Sequence, residues 1–353
     1  MNPTVLVISH YLKGDLNNAL GIARAIARPA GQEIEIVDVK LRANILIPLL
    51  RRDITAIRRH READRRAALR RKYRLYFQGD WPTAKNVSAV VSTLGRGEAP
   101  GAFLALALNV PAIHLGSLRR MRHEDFALVI AHQGISAGAG EVELPVSPSP
   151  LLRDEVKDAG KRYLSEKSRA QKRFALLIGG DTSGLHYSEH YWRSLLNGIR
   201  RLSKDLNAIW LITTSPRTSH RVEEMLEQLS FEAPEIIERL TLFHRNPEPV
   251  LAELLGASEG IFVTAESVSM ISDAVANGKA VVAITENGLP AHPRVREFLD
   301  RQLKAKQIII LDADRLGTTQ IDFDQLKTFS RCWSCYLYGV LADNGVCVPG
   351  LLP

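Results

Sequence analysis

The chain has 353 residues, of which 45% are hydrophobic, and a mean hydropathy of −0.07. This length suits two domains of roughly 150–180 residues each. No apolar run reaches the ~18 residues that a membrane-spanning helix needs, so the composition is typical of a soluble globular protein. The N-terminus enters a predicted strand almost directly, without the charged region and cleavage site of a signal peptide. We therefore expect a cytoplasmic protein.

The net charge of +7 comes from one segment. Between Arg51 and Arg74 there are eleven basic and three acidic residues, a local charge of +8 that leaves −1 for the rest of the chain. The segment is rich in helix formers and ends in aromatic residues. Such a helix fits an anionic membrane surface or a lipid-linked acceptor, and an arginine-rich solvated helix is the alternative. No recognised nucleic-acid-binding motif accompanies the charge, so no nucleic-acid partner is expected.

The cysteines Cys332, Cys335 and Cys347 all lie in the last 22 residues. The first two form a C-x-x-C pair, but no second pair and no nearby histidine accompanies it, which argues against a zinc site. No thioredoxin-like context surrounds it either. We expect reduced, structural thiols in a C-terminal tail.

The predicted elements alternate between strand and helix, which is typical of a doubly wound parallel sheet. The segments HYLKGDLNN (10–18) and LGRGEAPG (94–101) are predicted as loops that follow strands. Predicted helices cover 19–27, 102–109, 190–204, 219–230 and 292–304. Predicted strands cover 5–9, 33–39, 86–93, 111–116 and 126–133 in the first half, and 174–180, 208–214, 239–245, 260–263, 280–284 and 307–313 in the second.

Residues 134–150 are rich in Gly, Ser and Pro and predict a linker. The fold class is therefore α/β, with two Rossmann-like domains that face a cleft walled by βα loops. The predicted division is a first domain at 1–150 with a basic helical insertion at 51–81, a second domain at 151–330, and a tail at 331–353.

The most informative stretch is 260–284, which predicts a β-α-β unit. Ser and Thr stand where its helix begins, and their hydroxyls are expected to accept hydrogen bonds from the first turn. The helix is expected to end at Gly278 in a left-handed conformation. A helix N-terminus after a parallel strand is an anion site, and Asp273 one turn further on suits a ribose diol. A merely solvated Asp273 on an ordinary amphipathic helix is the alternative.

Four strands of the second half end in loops of similar character. Glycines allow a ligand close to the backbone, hydroxyls and N–H groups bind phosphate, and Arg supplies charge. Together they predict a nucleoside-diphosphate site. No G-x-x-x-x-G-K-[ST] sequence occurs and no G-x-G-x-x-G follows the first strand, which argues against a P-loop NTPase and against NAD. The candidate donor-binding residues are Gly179, Gly180, Thr182, Ser183, Thr214, Ser215, Arg217, Arg245, Asn246, Thr264, Glu266, Ser267, Ser269 and Asp273.

Two Asp-x-Asp strings occur, at 312–314 and 322–324. Neither belongs to a Gly- or Ser-rich phosphate loop, and Asp in these places is expected to cap a turn or a helix. The phosphate loops offer hydrogen-bond donors, whereas magnesium requires oxygen ligands. We therefore expect neither a metal nor a cofactor.

The motifs GDLNNALGIARAI, STLGRGEAP, LLIGGDTSG, LITTSPRT and VTAESVSMISDAVANGKAVV resemble the family named after the plant mitochondrial fission protein of the elongated-mitochondria phenotype. The resemblance spans about residues 4–290. It implies a GT-B fold, in which the C-terminal domain binds a nucleotide-sugar and the N-terminal domain binds the acceptor. The 260–284 stretch is also similar to the donor-binding segment of MurG-type N-acetylglucosaminyltransferases, whose ribose-binding acid matches Asp273.

The resemblance implies a glycosyltransferase that moves a sugar from a nucleoside-diphosphate sugar to an envelope glycolipid or polysaccharide, peripheral on the inner face of the cytoplasmic membrane. Family members carry a Gly-His in the first βα loop, where this chain has Gly14-Asp15. Asp15 is the candidate general base, with His10 as the alternate, and an ordinary turn Asp is the alternative interpretation. A sugar-nucleotide 2-epimerase-like enzyme and a non-catalytic interaction protein remain open. Acceptor-side candidates are Gly14, Asn17, Asn18 and Arg96.

Overall fold

The computed structural model describes residues 2–9, 13–59, 62–131, 138–165, 167, 171–182, 185–288, 290, 292–326 and 333–348. The chain forms two compact units. The first comprises Met1–Pro150 and Trp333–Pro353, and the second comprises Leu151–Cys332. Among the described residues, every helix is too short or too polar to span a bilayer.

The first unit is built on a five-stranded parallel sheet of order β2-β1-β5-β6-β7. Strand β1, which lies between β2 and β5, is buried along its whole length, as its continuous apolar sequence predicts. A separate antiparallel pair is formed by β3 and β4. The strands are β1 (Thr4–Ser9), β2 (Glu33–Asp38), β3 (Lys40–Leu41), β4 (Phe77–Gln78), β5 (Val87–Thr93), β6 (Ala112–Leu115) and β7 (Leu128–Ile130).

In the part of this unit that the structure describes, five helices accompany the sheet. The basic segment forms two of them rather than one. Its aromatic residues Tyr73, Tyr76 and Phe77 are buried in the core, where the Tyr76 hydroxyl donates to Asp53 at 2.5 Å. The helices are α1 (Lys13–Ala27), α2 (Ile47–Ile57), α3 (Glu62–Tyr76), α4 (Leu94–Leu108) and α11 (Trp333–Asp343), with α5–α10 in the second unit.

Two segments predicted as loops are helical, so those predictions are wrong. Helix α1 begins at Lys13, which places residues 13–18 in its first turns. Helix α4 begins at Leu94, directly after β5, with a kink at Gly95 and Pro100 inside it. Gly, Asp, Asn and Pro are favoured in turns and also at helix starts, so composition alone does not separate the two.

The segment predicted as a linker packs onto the first unit in its described part, 138–150. Val142 forms a parallel bridge with Ile130, and Ser149 is fully buried. A Cβ atom added to Gly21 would lie 2.8 Å from the Ser149 backbone, so this contact needs glycine.

The C-terminal segment, predicted as a tail, contains α11 and belongs to the first unit. The Tyr338 hydroxyl donates to the Ala25 carbonyl at 2.7 Å. Cys335 is disulfide-bonded, so the expectation of a reduced thiol is wrong there. Cys347 is a free, exposed thiol, and Cys332 lies outside the described residues.

The second unit contains a six-stranded parallel sheet of order β10-β9-β8-β11-β12-β13. In chain order this is 3-2-1-4-5-6, the doubly wound Rossmann arrangement, which confirms the predicted fold class. The strands are β8 (Lys172–Leu177), β9 (Ala208–Thr213), β10 (Ile237–Thr241), β11 (Gly260–Thr264), β12 (Ala280–Thr285) and β13 (Ile308–Asp312).

The helices of the second unit pack by close backbone approach and by apolar faces. A Cβ atom on Gly160 of α5 would lie 2.2 Å from the Gly256 carbonyl carbon of α8. Helix α9 buries Ile271 and Val275, and Gly278 follows it with φ +73°, as predicted. The helices are α5 (Arg153–Leu164), α6 (Glu189–Leu206), α7 (His220–Glu232), α8 (Leu251–Ala257), α9 (Val268–Ala276) and α10 (Pro293–Lys304).

Candidate functional site

The second sheet reverses its strand order between β8 and β11. Ligands of open α/β sheets bind outside the carboxyl ends of the strands at such a point. The two strands pair in parallel register from Gly260 to Val263 of β11. The segments that follow them therefore leave the sheet side by side, and their residues form the candidate site.

Gly179 and Gly180 follow β8 and contact the segment after β11. The Gly179 N–H donates to Thr264 Oγ1 at 2.8 Å, and the Gly180 N–H donates to Glu266 Oε1 at 2.7 Å. A Cβ atom on Gly179 would lie 1.7 Å from Glu266 Oε1, and one on Gly180, whose φ is +131°, would lie 2.3 Å from the Arg217 carbonyl oxygen. Only glycine fits at either position.

The loop after β9 is joined to the same glycine. Ser215 Oγ and Thr218 Oγ1 both donate to the Gly179 carbonyl, at 2.5 and 2.6 Å. Thr218 Oγ1 also accepts the Ser215 N–H at 2.9 Å. Both side chains are buried, so they hold the loop in place and do not face solvent.

Glu266 is the centre of this network, and its side chain is fully buried. Besides the Gly180 N–H, Oε1 accepts the Thr264 hydroxyl at 3.1 Å, and Oε2 accepts the Tyr187 hydroxyl at 2.7 Å. Burial raises the pKa of the Glu266 carboxyl, although the hydrogen bonds from Tyr187, Gly180 and Thr264 oppose the shift. The carboxyl therefore joins the segment after β11 to the connection between β8 and α6.

Tyr187 lies between this carboxyl and the aromatic core. Its ring stacks on Tyr191 with centroids 4.1 Å apart. Burial, together with nearby Tyr191 and Glu266, raises the pKa of Tyr187 far above its ordinary value. The hydroxyl therefore stays protonated and donates a hydrogen bond to Glu266.

Arg217 brings the positive charge to this cluster. Its guanidinium Nη2 lies 3.5 Å from Glu266 Oε1 and 3.4 Å from Ser267 Oγ, and 44% of the side chain is exposed. A half-exposed guanidinium above buried hydroxyl and N–H groups suits an anionic ligand.

Other donor-binding candidates make contacts of their own. Thr214 Oγ1 donates to Glu223 Oε1 at 2.6 Å and accepts the Phe243 N–H at 2.7 Å. Arg245 pairs with Glu227 at 3.4 Å, and Asn246 Nδ2 donates to Glu248 at 2.8 Å. The structure thus places these three residues in contacts beside the cluster around Glu266.

The candidate residues in and beside α9 differ in exposure. Ser267 is buried and its side chain accepts no capping hydrogen bond, so the expected capping role is wrong for this residue. Ser269 is exposed and Asp273 is half-buried. Thr182 forms a backbone bridge with Leu185, and Ser183 lies outside the described residues.

In the first unit the candidates lie on two helices that start at the carboxyl edge of the sheet. Gly14, Asp15, Asn17 and Asn18 belong to α1, and Asn17 is exposed. His10 and the side chain of Asp15 lie outside what the structure describes.

Arg96 of α4 lines a pocket together with Lys40, Arg42 and Arg120, and the described residues around it include no acid.

The Asp-x-Asp strings have local partners. Asp322 accepts the Asp324 N–H at 3.0 Å at the start of a short 3-10 helix. Asp312 Oδ1 accepts the Thr285 hydroxyl at 2.6 Å and the Gly288 N–H at 2.8 Å. Both contacts hold turns in place.

Sequence reasoning missed Tyr187, Thr218 and Glu223. Thr218 directly follows Arg217, and its hydroxyl could have been included on the same grounds as Ser215. Tyr187 and Glu223 carry no such signal, because each meets its partner only through the tertiary fold.

We expect Glu266→Gln to change how stability depends on pH. The folded state raises the pKa of this carboxyl above its ordinary value of 4.5, so its ionisation costs folded-state stability. That loss begins as the pH rises past about 4.5 and continues up to the raised pKa. The glutamine amide can still accept a hydrogen bond from the Gly180 N–H and donate one to the Tyr187 oxygen, so the variant should keep the fold. Because the amide does not ionise, the variant should not lose stability as the pH rises in this range.

Urea denaturation at several pH values measures the difference in unfolding free energy between the Gln variant and the wild type. As the pH rises, the unfolding free energy of the variant should increase relative to that of the wild type. Glu259→Gln, which removes an exposed carboxylate of the same unit, is the control for a lost charge. A constant difference from about pH 4 to pH 8 would contradict the raised pKa.

Comparison with solved structures shows the fold. LpCGTa in complex with UDP is 12% identical, with 98% of this chain and 100% of that chain covered and a TM-score of 0.50. The UDP-GlcNAc 2-epimerase from Methanocaldococcus jannaschii is 9% identical, with 97% and 100% covered and a TM-score of 0.49. MurG of Acinetobacter baumannii is 12% identical, with 99% and 94% covered and a TM-score of 0.42.

The fold is GT-B-like, with two Rossmann-like units. No curated protein matches the sequence. The family model for mitochondrial fission ELM1 matches residues 13–332, which is nine-tenths of the chain and confirms the resemblance inferred from its motifs. The chain belongs to the mitochondrial fission ELM1 family.

Proposed function

We propose that this protein is a glycosyltransferase that uses a nucleoside-diphosphate sugar as donor. The observation that carries the proposal is the cluster at the reversal point of the second sheet. There Gly179 and Gly180 approach Glu266, and the half-exposed Arg217 lies beside them. LpCGTa, which shares the fold, is in complex with UDP, and we carry that ligand class to this unit.

On the donor side, the diphosphate would lie against Arg217 and the N-terminus of α9. Departure of the diphosphate develops negative charge, which a guanidinium and helix N–H groups stabilise without a metal. Asp273, half-buried further along α9, would accept from the ribose hydroxyls. The buried Glu266, Ser215 and Thr264 would position the loops rather than contact the sugar.

On the acceptor side, we assign the base to Asp15, with His10 as the alternate. Asp15 lies in the first turn of α1, next to the point where the first sheet reverses its order between β1 and β5. An inverting transfer needs such a base to take the proton of the acceptor hydroxyl. The cationic pocket at Arg96 supports an acceptor that carries negative charge, such as an envelope glycolipid.

Incubating the purified protein with a panel of sugar nucleotides tests this function. Calorimetry follows binding, and chromatography follows slow hydrolysis and epimer formation. A transferase should bind one member and hydrolyse it slowly. Conversion into an epimer would favour the 2-epimerase-like alternative, and neither binding nor turnover would favour a non-catalytic interaction protein.

We expect Asp273→Ala to weaken binding of the sugar nucleotide by about ten- to a hundredfold. The reason is the loss of a charged hydrogen bond, which costs roughly 1.5–3 kcal/mol. Calorimetry measures the affinity, and circular dichroism checks that the variant is folded. Asp205→Ala, an exposed acid near the C-terminal end of α6, is the matched control. Equal affinity of Asp273→Ala and wild type would remove the ribose assignment.

We also propose that α2 and α3 dock on an anionic membrane surface, where the lipid-linked acceptor resides. The apolar Leu75 is 51% exposed and shares a helix face with the exposed Arg71, four residues earlier. The buried aromatic residues of α3 take no part. The exposed basic side chains are Arg52, Arg59, Arg66, Arg70, Arg71 and Arg74.

Binding to vesicles should therefore require anionic lipid and weaken as salt rises, since charges are screened over about 10 Å at 0.1 M salt. Vesicle sedimentation at several salt concentrations measures this. Arg66→Glu with Arg71→Glu should abolish binding. Arg294→Glu with Lys304→Glu changes the net charge equally at exposed positions of α10 and should not. Equal binding to neutral vesicles would count against the proposal.

Transfer activity should survive EDTA, because the groups assigned to the diphosphate are the Arg217 guanidinium and the N–H groups at the start of α9. In the two Asp-x-Asp strings, the carboxylates of Asp312, Asp314 and Asp322 already accept hydrogen bonds from local partners. Activity is compared in buffer with and without the chelator. Loss of activity that magnesium or manganese restores would overturn the metal-independent mechanism.

A further inference from the structure

Three potential metal ligands converge beside the carboxyl end of β9 and β10. His220 and Glu223 stand three residues apart on α7 and so share a helix face. His244 follows β10, and its ring centroid lies 4.5 Å from that of His220. One ligand atom from each of the three residues lies within 4.8 Å of the other two. No other such group occurs in the part of the chain that the structure describes.

Glu223 is the unusual member of this group, because its side chain is fully buried. Oε1 accepts hydrogen bonds from the Thr214 hydroxyl at 2.6 Å and from the backbone N–H of His244 at 3.2 Å. Oε2 is buried and has no hydrogen-bond partner among the described residues. A buried carboxylate oxygen without a partner is costly, and a bound cation would remove that cost.

Hydrogen bonds orient this carboxyl, because the Thr214 hydroxyl and the His244 backbone N–H both donate to Oε1. Ligating carboxylates in proteins are oriented by hydrogen bonds of this kind, here from Thr214. The Thr214 hydroxyl is in turn fixed by the Phe243 N–H at 2.7 Å.

We propose that His220, Glu223 and His244 bind one zinc ion. Two imidazoles and one carboxylate match a common zinc ligand set, with a water in the fourth position. Ligand atoms around tetrahedral zinc lie about 3.3–3.5 Å apart, as follows from metal–ligand bonds of about 2.0–2.2 Å. His244 Nδ1 is already 3.3 Å from Glu223 Oε1. The exposed His220 ring is free of core packing and can rotate to close the remaining distance.

The ion would join the start of α7 to the segment after β10, two parts of the second unit that follow adjacent strands. It would therefore stabilise this edge of the sheet, and no step of sugar transfer depends on it. The inference thus stands apart from the proposed function, and its test reads metal binding and stability rather than activity.

The test uses the full chain without an affinity tag, stripped with a chelator and then dialysed. Zinc is titrated against a chromophoric competitor, and cobalt(II) reports the ligand geometry through its visible absorption. We expect one zinc per chain at this site and a rise in the thermal midpoint when zinc is added. His220→Ala with His244→Ala should weaken zinc binding at least tenfold and remove the midpoint shift.

His190→Ala, which removes an exposed histidine on α6, is the matched control and should keep wild-type zinc affinity. Glu223→Gln is the second variant, and it should lower affinity while both histidines remain. Cys347, the exposed free thiol, is kept in every protein so that its contribution cancels. Equal zinc affinity in the wild type and the double histidine variant would overturn the site. The same visible cobalt(II) spectrum in these two proteins would overturn it as well.

Discussion

The candidate site of the second unit depends on one buried carboxyl group, that of Glu266. A buried carboxyl is tolerated only when its oxygens have partners, and here they come from the connection between β8 and α6 and from the end of β11. The Gly180 N–H, the Thr264 hydroxyl and the Tyr187 hydroxyl each satisfy one acceptor position. Movement of the loop after β8 would therefore break the hydrogen bonds that Glu266 accepts from Gly180 and Tyr187. This coupling explains why a Cβ at Gly179 cannot be accommodated: it would occupy the position of the carboxyl oxygen.

The same carboxyl sets the charge that the site offers. Arg217 lies 3.5 Å from it and remains 44% exposed. The guanidinium is only partly compensated, because its contact with Glu266 is long and nearly half of its side chain faces solvent. A partly compensated cation at the edge of a parallel sheet attracts anions more strongly than a fully paired one. Glu266 thus holds the loops of the site in place, and Arg217 beside it makes the site favour anionic ligands.

The sequence predicts what depends on local pattern. Continuous apolar runs identify the buried strands of both sheets, and Gly278 identifies the end of α9. Prediction fails where one composition suits two structures, as at residues 13–18 and 94–101, which are helical. It also fails where long-range contact decides the role of a residue. Glu266 reads as a ligand-facing acid, but Tyr187, 79 residues earlier in the chain, covers it.

The first unit contains a counterpart of Glu266, and its role could not be predicted from the sequence pattern either. Its sheet reverses order between β1 and β5, and Glu98, in the helix after β5, is fully buried. Glu98 Oε1 accepts the backbone N–H groups of Arg119, Arg120 and Met121, at 3.0, 2.7 and 2.5 Å. In both units a glutamate after the strand across the reversal point thus holds an irregular loop at the carboxyl edge. Irregular loops expose backbone N–H groups that must find acceptors, and a buried carboxylate satisfies several at once. The two units therefore share a sheet order reversal and also the means of keeping the adjoining edge rigid, which is the property a ligand-binding edge requires.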